Sequence, residues 1–345
     1  MSLLEIKGLE TEFQTEQGVV KALRGINYTV DRGEVLGIVG ESGSGKSVGM
    51  LSLMGLLAPN GTVTAGEMIF DGEDISPIKY KTKKEKKEYE KKMNQIRGND
   101  ISMIFQDPMS YLNPIVTIEK QMTEGIRFHT KCSKKEAVQR AIELMKMVGI
   151  PAPESRLKQY PLEFSGGMRQ RIIIATALAC NPKLIVADEP TTALDVTVQA
   201  QILDLLKDIT KESNAGVIII THDLGVVASL CDRISIMYGG NIMEEGTTDE
   251  IFYDPKHPYT KGLLNSIANS NVDHREPLKP IPGTPPDLLK LGDQCPFASR
   301  CSEAMEICTK ASPLVTEFGE THKCKCWLHC KERWHEVLKG EDAYE

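Results

Sequence analysis

The chain has 345 residues, a formal net charge of −7, and 41 % hydrophobic and 26 % charged residues, the make-up of a globular protein with a sizeable core. No apolar run approaches the roughly 18 residues of a membrane-crossing helix, and the acidic balance excludes a protein that grips nucleic acid over a broad basic face. The start, MSLLEIKGLE, lacks the basic end, long apolar centre and cleavage site of a secretory signal, so a cytoplasmic setting is expected. Clustered cysteines there read as metal-binding or redox groups before disulfides.

In chain order, residues 1 to about 35 alternate apolar and polar, as in an antiparallel ribbon or small sheet. EVLGIVG is a buried-strand run, a Gly/Ser loop spans 40 to 45, and KSVGMLSLMGLL has helical periodicity. The lysine-rich KYKTKKEKKEYEKK, Lys79 to Lys92, predicts a solvated helix laced by ion pairs of its own. Two helical patterns, TIEKQMTEGIRFH and KKEAVQRAIELMKMVGI, suggest a helical insertion between about 117 and 160, ended by PAPE and YPLE. Helix GGMRQRIIIATALAC then leads to strand KLIVADEP, helix TVQAQILDLLKDIT to strand GVIIITH, and RISIMY is a further strand. Strands alternating with helices imply an α/β fold whose parallel sheet is covered on both faces. From about 255 the texture changes to DPKHPYTKG, the proline-rich EPLKPIPGTPPDLL, and six of the nine cysteines, which suggests a separate C-terminal appendage.

GESGSGKS, Gly40 to Ser47, fits G-x-x-x-x-G-K-[ST] in the strand-to-helix context that this pattern requires. Gly40, Glu41, Ser42, Gly43, Ser44 and Gly45 can turn successive N–H groups toward phosphate oxygens, and the helix adds its positive end. Lys46 can reach the β- and γ-phosphates of ATP, and Ser47 can offer its hydroxyl to Mg²⁺. In LIVADEP two carboxylates end a strand: Asp188 would stand near the metal, through water, and Glu189 could face an attacking water as general base. A buried strand that happens to end in acids is the bland alternative, outweighed by the phosphate loop in the same chain.

FSGGMRQR, Phe164 to Arg171, taken with GESGSGKS, MIFQDP, LIVADEP, TTALD and THD in their order, resembles the ATP-binding cassette ATPases of membrane transporters over about residues 3 to 250. The resemblance implies a P-loop nucleotide-binding domain over 1–254 with an N-terminal antiparallel β subdomain and a helical subdomain at about 97–165. It implies MgATP hydrolysis at two shared interfaces of a head-to-tail dimer, with Gln106, Glu189 and His222 in catalysis and Ser47, Gln106 and Asp188 around Mg²⁺. Ser165, Gly166 and Gly167 are implied to cap the γ-phosphate of ATP held by the other protomer, Asp195 to link the two sites, and Phe13 to stack on adenine. Physically, a Ser-Gly-Gly turn that opens a helix presents a hydroxyl and bare N–H groups to an anion, and it also reads as an ordinary helix cap.

HPYTKGLL, IPGTPPDL and the cysteine-rich tail, residues 255–345, resemble the extension of ATPases in the dipeptide/oligopeptide importers of bacteria and archaea, the D-type subunit above all. That implies a second ATPase subunit, two transmembrane permeases and, indirectly, a peptide-binding protein as partners, at the cytoplasmic face of the membrane. It also implies a 4Fe–4S cluster on Cys295, Cys301, Cys308 and Cys326, with Cys324 as the alternative fourth ligand; four cysteines can also hold Zn²⁺, though the close C-x2-C pairs typical of zinc are absent, and unligated thiols are the bland alternative. Import of a related solute such as a nickel chelate or glutathione, a soluble cassette ATPase, and an iron–sulfur regulatory protein are the competing functions.

Overall fold

The computed structural model describes residues 2–105, 111–191, 196–266, 280–330 and 334. The chain divides into two compact units, one from Met1–Leu4, Thr29–Val35 and Ile69–Ile220, the other from Glu5–Tyr28, Leu36–Met68 and Thr221–Glu345.

In the first unit, strands Ile101–Ile104, Leu184–Asp188 and Gly216–Thr221 pair in parallel, with Ile101 opposite Leu184 and Leu184 opposite Gly216. Every residue of the three is buried, which is why they read as unbroken apolar runs and not as alternating ones. Helix Gly166–Ala177 packs with them, and Gln170, Ile172, Ile173, Ile174 and Ala175 are all buried. The expected helical insertion is present as Ile118–Thr130 and Lys134–Met147. The second begins with a reciprocal cap between Ser133 and Glu136 and closes before Gly149, whose φ of 73° ends the helix ahead of the PAPE segment.

The lysine-rich run forms helix Lys83–Ile96, capped by Thr82 and Glu85 and buried along the stripe Tyr89, Met93 and Ile96. Its ion pairs differ from the expectation. They run to acids outside the run, Lys92 to Glu73 at 2.8 Å and Lys79 to Asp74, while Arg97 pairs back to Glu90 at 3.1 Å. The helix rests on an apolar stripe, so its lysines are free to reach the neighbouring strand.

In the second unit, strands Leu4–Thr15 and Gly18–Val30 are hydrogen-bonded neighbours joined by a two-residue turn, hence antiparallel, and Gly61–Phe70 lies on the other side of the first. A second sheet pairs Val35–Val39 in parallel with Arg233–Tyr238, which pairs antiparallel with Asn241–Thr247. The tail extends this sheet: Lys323–Lys325 sits antiparallel to Asn241–Thr247, with Cys324 opposite Glu244, and Val315–Glu317 pairs beyond it. Phe297, Ile307 and Trp327 bury a small core in the tail, and the Trp327 indole donates to the Ala311 carbonyl at 3.0 Å.

Candidate functional site

The phosphate loop lies between strand Val35–Val39 and helix Lys46–Leu53. Gly43 and Gly45 adopt φ of 78° and 102°, left-handed values that a side chain resists. A Cβ at Gly40 would stand 2.1 Å from the Met237 carbonyl oxygen, so that glycine answers to close approach instead. The helix opens without a side-chain cap, the arrangement in which first-turn amides can face a phosphate. Lys46 is only 7 % exposed, and its Nζ donates to the carbonyls of Gly40 at 2.7 Å and Glu41 at 2.9 Å. An ammonium gathered over an amide-lined turn is built for an anion. Ser47, the second helical residue, is half-buried, and Ser52 on the same helix is tied to Thr11 of the N-terminal sheet by a 2.9 Å hydroxyl pair.

Two other expected residues sit in this unit. Phe13 is half-buried with its ring on the backbone of Gly61, where an added Cβ would meet Cε1 at 2.7 Å. His222 is exposed, just after strand Gly216–Thr221, and the following Asp223 caps helix Leu224–Leu230 by accepting from the N–H groups of Gly225 and Val226.

The first unit holds the carboxylates and the Ser-Gly-Gly turn. Asp188 ends its strand 7 % exposed. Glu189 follows at φ 45°, its N–H held by the Ile220 carbonyl at 2.8 Å. A non-glycine residue kept left-handed costs about 1–3 kcal/mol and persists where the aim of a side chain matters. Ser165 caps helix Gly166–Ala177, its Oγ accepting from the Met168 N–H at 3.4 Å. Ser165 and Gly166 are exposed, so the capping geometry leaves the turn reachable, while a Cβ at Gly167 would press Val198 at 2.9 Å. Gln106 and Asp195 lie outside the described residues.

Gln170, which sequence reasoning missed, is buried and donates Nε2 to the Pro190 carbonyl at 2.8 Å, joining the Ser-Gly-Gly helix to the turn after Glu189. A glutamine inside an otherwise apolar helical face was the available signal.

In the tail, Cys295, Cys308, Cys324 and Cys326 are buried and Cys301 is half-buried. Burial raises the thiols of Cys295, Cys301 and Cys308 above their ordinary range, and neighbouring cysteines add to the rise. The Cys295 N–H donates to the Cys308 carbonyl at 3.0 Å, and the Cys308 N–H to the Met305 carbonyl at 3.0 Å. Cys324 stands aside, facing Glu244 and hydrogen-bonding Cys326, a bond that favours the Cys326 thiolate. Burial pushes the Cys295 thiol up to about 12. Among the described residues, no three His, Cys, Asp or Glu side chains form a group able to hold a metal ion as they stand.

The HPY stretch has a structural role of its own. His257 caps helix Pro258–Asn265 through Nδ1, which accepts from the Tyr259 N–H at 2.9 Å, and Pro258 occupies the first turn. Glu244, 1 % exposed, is compensated by three donors: the N–H groups of Lys256 and His257 and the Nε2 of His322. Burial lowers His257 to about 3, so it is neutral in the folded protein. The unfolded chain therefore takes up a proton below its ordinary 6.5 that the folded chain refuses. Stability is expected to fall with pH from about 6.5 toward 3, by up to about 1.4 kcal/mol per unit from this residue. His257→Asn keeps the capping acceptor without the titration, so urea unfolding at pH 7 and pH 5.5 should show a smaller difference for that variant; an equal difference would exclude His257 as the source.

A family model described as "ABC transporter" matches residues 23–192, and one described as "Oligopeptide/dipeptide transporter, C-terminal region" matches 243–308. An oligopeptide transport ATP-binding protein of Bacillus subtilis is 52 % identical over 94 % of this chain and 88 % of its own length. A dipeptide transport ATP-binding protein of the same organism is 48 % identical over 98 % of both chains. Among solved structures, a dimeric post-hydrolysis ATP-binding cassette bound to ADP and Pi is 29 % identical and matches with a TM-score of 0.61, covering 71 % of this chain and 98 % of the other. The chain belongs to the ATP-binding cassette family of transporter ATPases. Within it, the C-terminal region and the relatives at about 50 % identity put it with the ATP-binding proteins of oligopeptide and dipeptide transport.

Proposed function

We propose that this chain is the ATP-hydrolysing subunit of a bacterial or archaeal importer, driving uptake of di- and oligopeptides through membrane permeases. The observation that carries the reading is the pairing, in one chain, of a phosphate loop with a buried Lys46 and a C-terminal region matched over residues 243–308 by the oligopeptide/dipeptide transporter model. In this reading Gly40 to Ser47 cradle the phosphates, Ser47, Gln106 and Asp188 surround Mg²⁺, Glu189 activates the attacking water, and His222 touches the γ-phosphate. Ser165, Gly166, Gly167 and Asp195 serve ATP across a dimer, and Phe13 serves adenine. No helix among the described residues is long and apolar enough to cross a membrane, so energy has to pass to partners: a second cassette, homologous or identical, and two permeases at the cytoplasmic membrane face. A peptide-binding protein would deliver the solute from outside.

The reading extends to a 4Fe–4S cluster on Cys295, Cys301, Cys308 and Cys326, supported by the burial or half-burial of these thiols and by the Cys295 N–H that donates to the Cys308 carbonyl at 3.0 Å. A zinc site on four cysteines would more typically use close C-x2-C pairs, which this tail lacks. When bound, the cluster would cross-link the tail, and the chain's own contribution is to bury it among Phe297, Ile307 and Trp327.

ATP turnover of the chain reconstituted with its permeases is expected to rise when peptide-loaded binding protein is added. A turnover indifferent to both would overturn the importer reading and favour a soluble ATPase.

A further inference from the structure

The tail reaches the phosphate loop directly, within the second unit. Arg300, one residue before Cys301, makes a two-pronged contact with the Glu41 carboxylate, Nη1 to Oε2 at 2.7 Å and Nη2 to Oε1 at 3.1 Å. Its remaining donors are used as well. Nη1 also lies 3.0 Å from the Tyr238 hydroxyl, Nε donates to the Pro282 carbonyl at 2.9 Å, and Nη2 to the Ile281 carbonyl at 3.2 Å. The Arg300 side chain is 5 % exposed and that of Glu41 26 %. On the backbone side, the Glu41 N–H donates to the Tyr259 hydroxyl at 3.0 Å. Tyr238, Tyr259 and Phe297 pack tilted and edge to face, with ring centres 4.5 to 5.3 Å apart, so the residue that meets Glu41's amide rests on the cysteine-bearing segment.

Glu41 is an acid inside a loop whose chemistry is to hold polyanionic phosphate. Unpaired, it would repel the ligand at close range, weakly screened beside a half-buried turn. We propose that Arg300 is a positioning residue for nucleotide, acting through Glu41: it neutralises that carboxylate and fixes the loop's first turn, so that nucleotide affinity depends on the C-terminal segment. The inference rests on the ATPase reading. A planar fork fits a carboxylate with two parallel bonds, which a lysine cannot reproduce, although lysine keeps the charge.

The test is equilibrium binding of MgADP to the full chain. Arg300→Ala is expected to weaken binding about tenfold, the effect of a coupling of ordinary size between contacting groups. Arg300→Ala combined with Glu41→Gln is expected to recover most of that loss, because the charge that needed neutralising is gone. Arg300→Lys should fall between wild type and Arg300→Ala. A loss caused only by disturbed packing of the tail would persist or deepen in the double variant, and that result overturns the proposal, as does Arg300→Ala binding like wild type. Failure of the wild-type chain itself to bind MgADP would instead sink the ATPase reading.

Discussion

Glu189→Gln is expected to bind MgATP as the wild-type chain does and to turn it over at least about a hundredfold more slowly, since a positioned general base contributes roughly 10²–10⁴ in rate. The substitution keeps the size of the side chain and leaves the left-handed backbone at φ 45° and the Ile220 contact unchanged, so the site's shape survives. In the proposed reading, binding depends on the phosphate loop and Lys46, which the substitution leaves untouched. Phosphoryl transfer asks the protein for positioning and charge neutralisation, and only the step that takes the proton from water is removed. The two effects separate cleanly in single-turnover measurements: unchanged affinity with a collapsed rate supports the role. A rate within a fewfold of wild type would remove Glu189 from catalysis and shift attention to Gln106 and His222.

The second large effect is expected in the tail. Protein purified without oxygen should carry about four irons with matching sulfide, and Cys308→Ser should abolish most of that iron, with the same result at Cys295, Cys301 and Cys326. Cys324→Ser should keep the iron, because Cys324 lies on strand Lys323–Lys325 opposite Glu244. Losing the cross-link should also loosen a segment whose own core is little more than Phe297, Ile307 and Trp327. Iron lost on Cys324→Ser and kept on Cys326→Ser would exchange the two ligands. Zinc in place of iron, or no metal in wild type, would defeat the cluster and leave the ATP site as described.

The phosphate loop and the buried strands are legible in the sequence because each is local: a loop whose residue types are dictated by dihedral and approach, as at Gly43, Gly45 and Gly40, and strands whose burial on both faces leaves continuous apolar runs. The same locality exposes the lysine-rich helix and the pair of helices between about 117 and 160, while the cap at Thr82 emerges only in the structure. What could not be read were contacts made by distant segments. Strand Lys323–Lys325 is three residues long, too short for any period, and its place beside Asn241–Thr247 comes from tertiary packing. Arg300 and Glu41 are 259 positions apart, and nothing in either neighbourhood announces the pair. The ion pairs of the lysine-rich run differ for a related reason: Lys92 on the solvated face of the helix and Lys79 ahead of it choose partners that helical spacing does not include, Glu73 and Asp74. Gln170 was hidden by its own surroundings, a polar residue whose partner, the Pro190 carbonyl, belongs to another element.

The most direct test of the central claim is the amount of labelled oligopeptide accumulated inside sealed vesicles that carry this chain with its permeases and binding protein. Accumulation that requires ATP on the chain's own side, depends on the peptide, and disappears with Glu189→Gln is the predicted result. Vesicles that hydrolyse ATP at the wild-type rate yet take up no more peptide than the Glu189→Gln vesicles would contradict it.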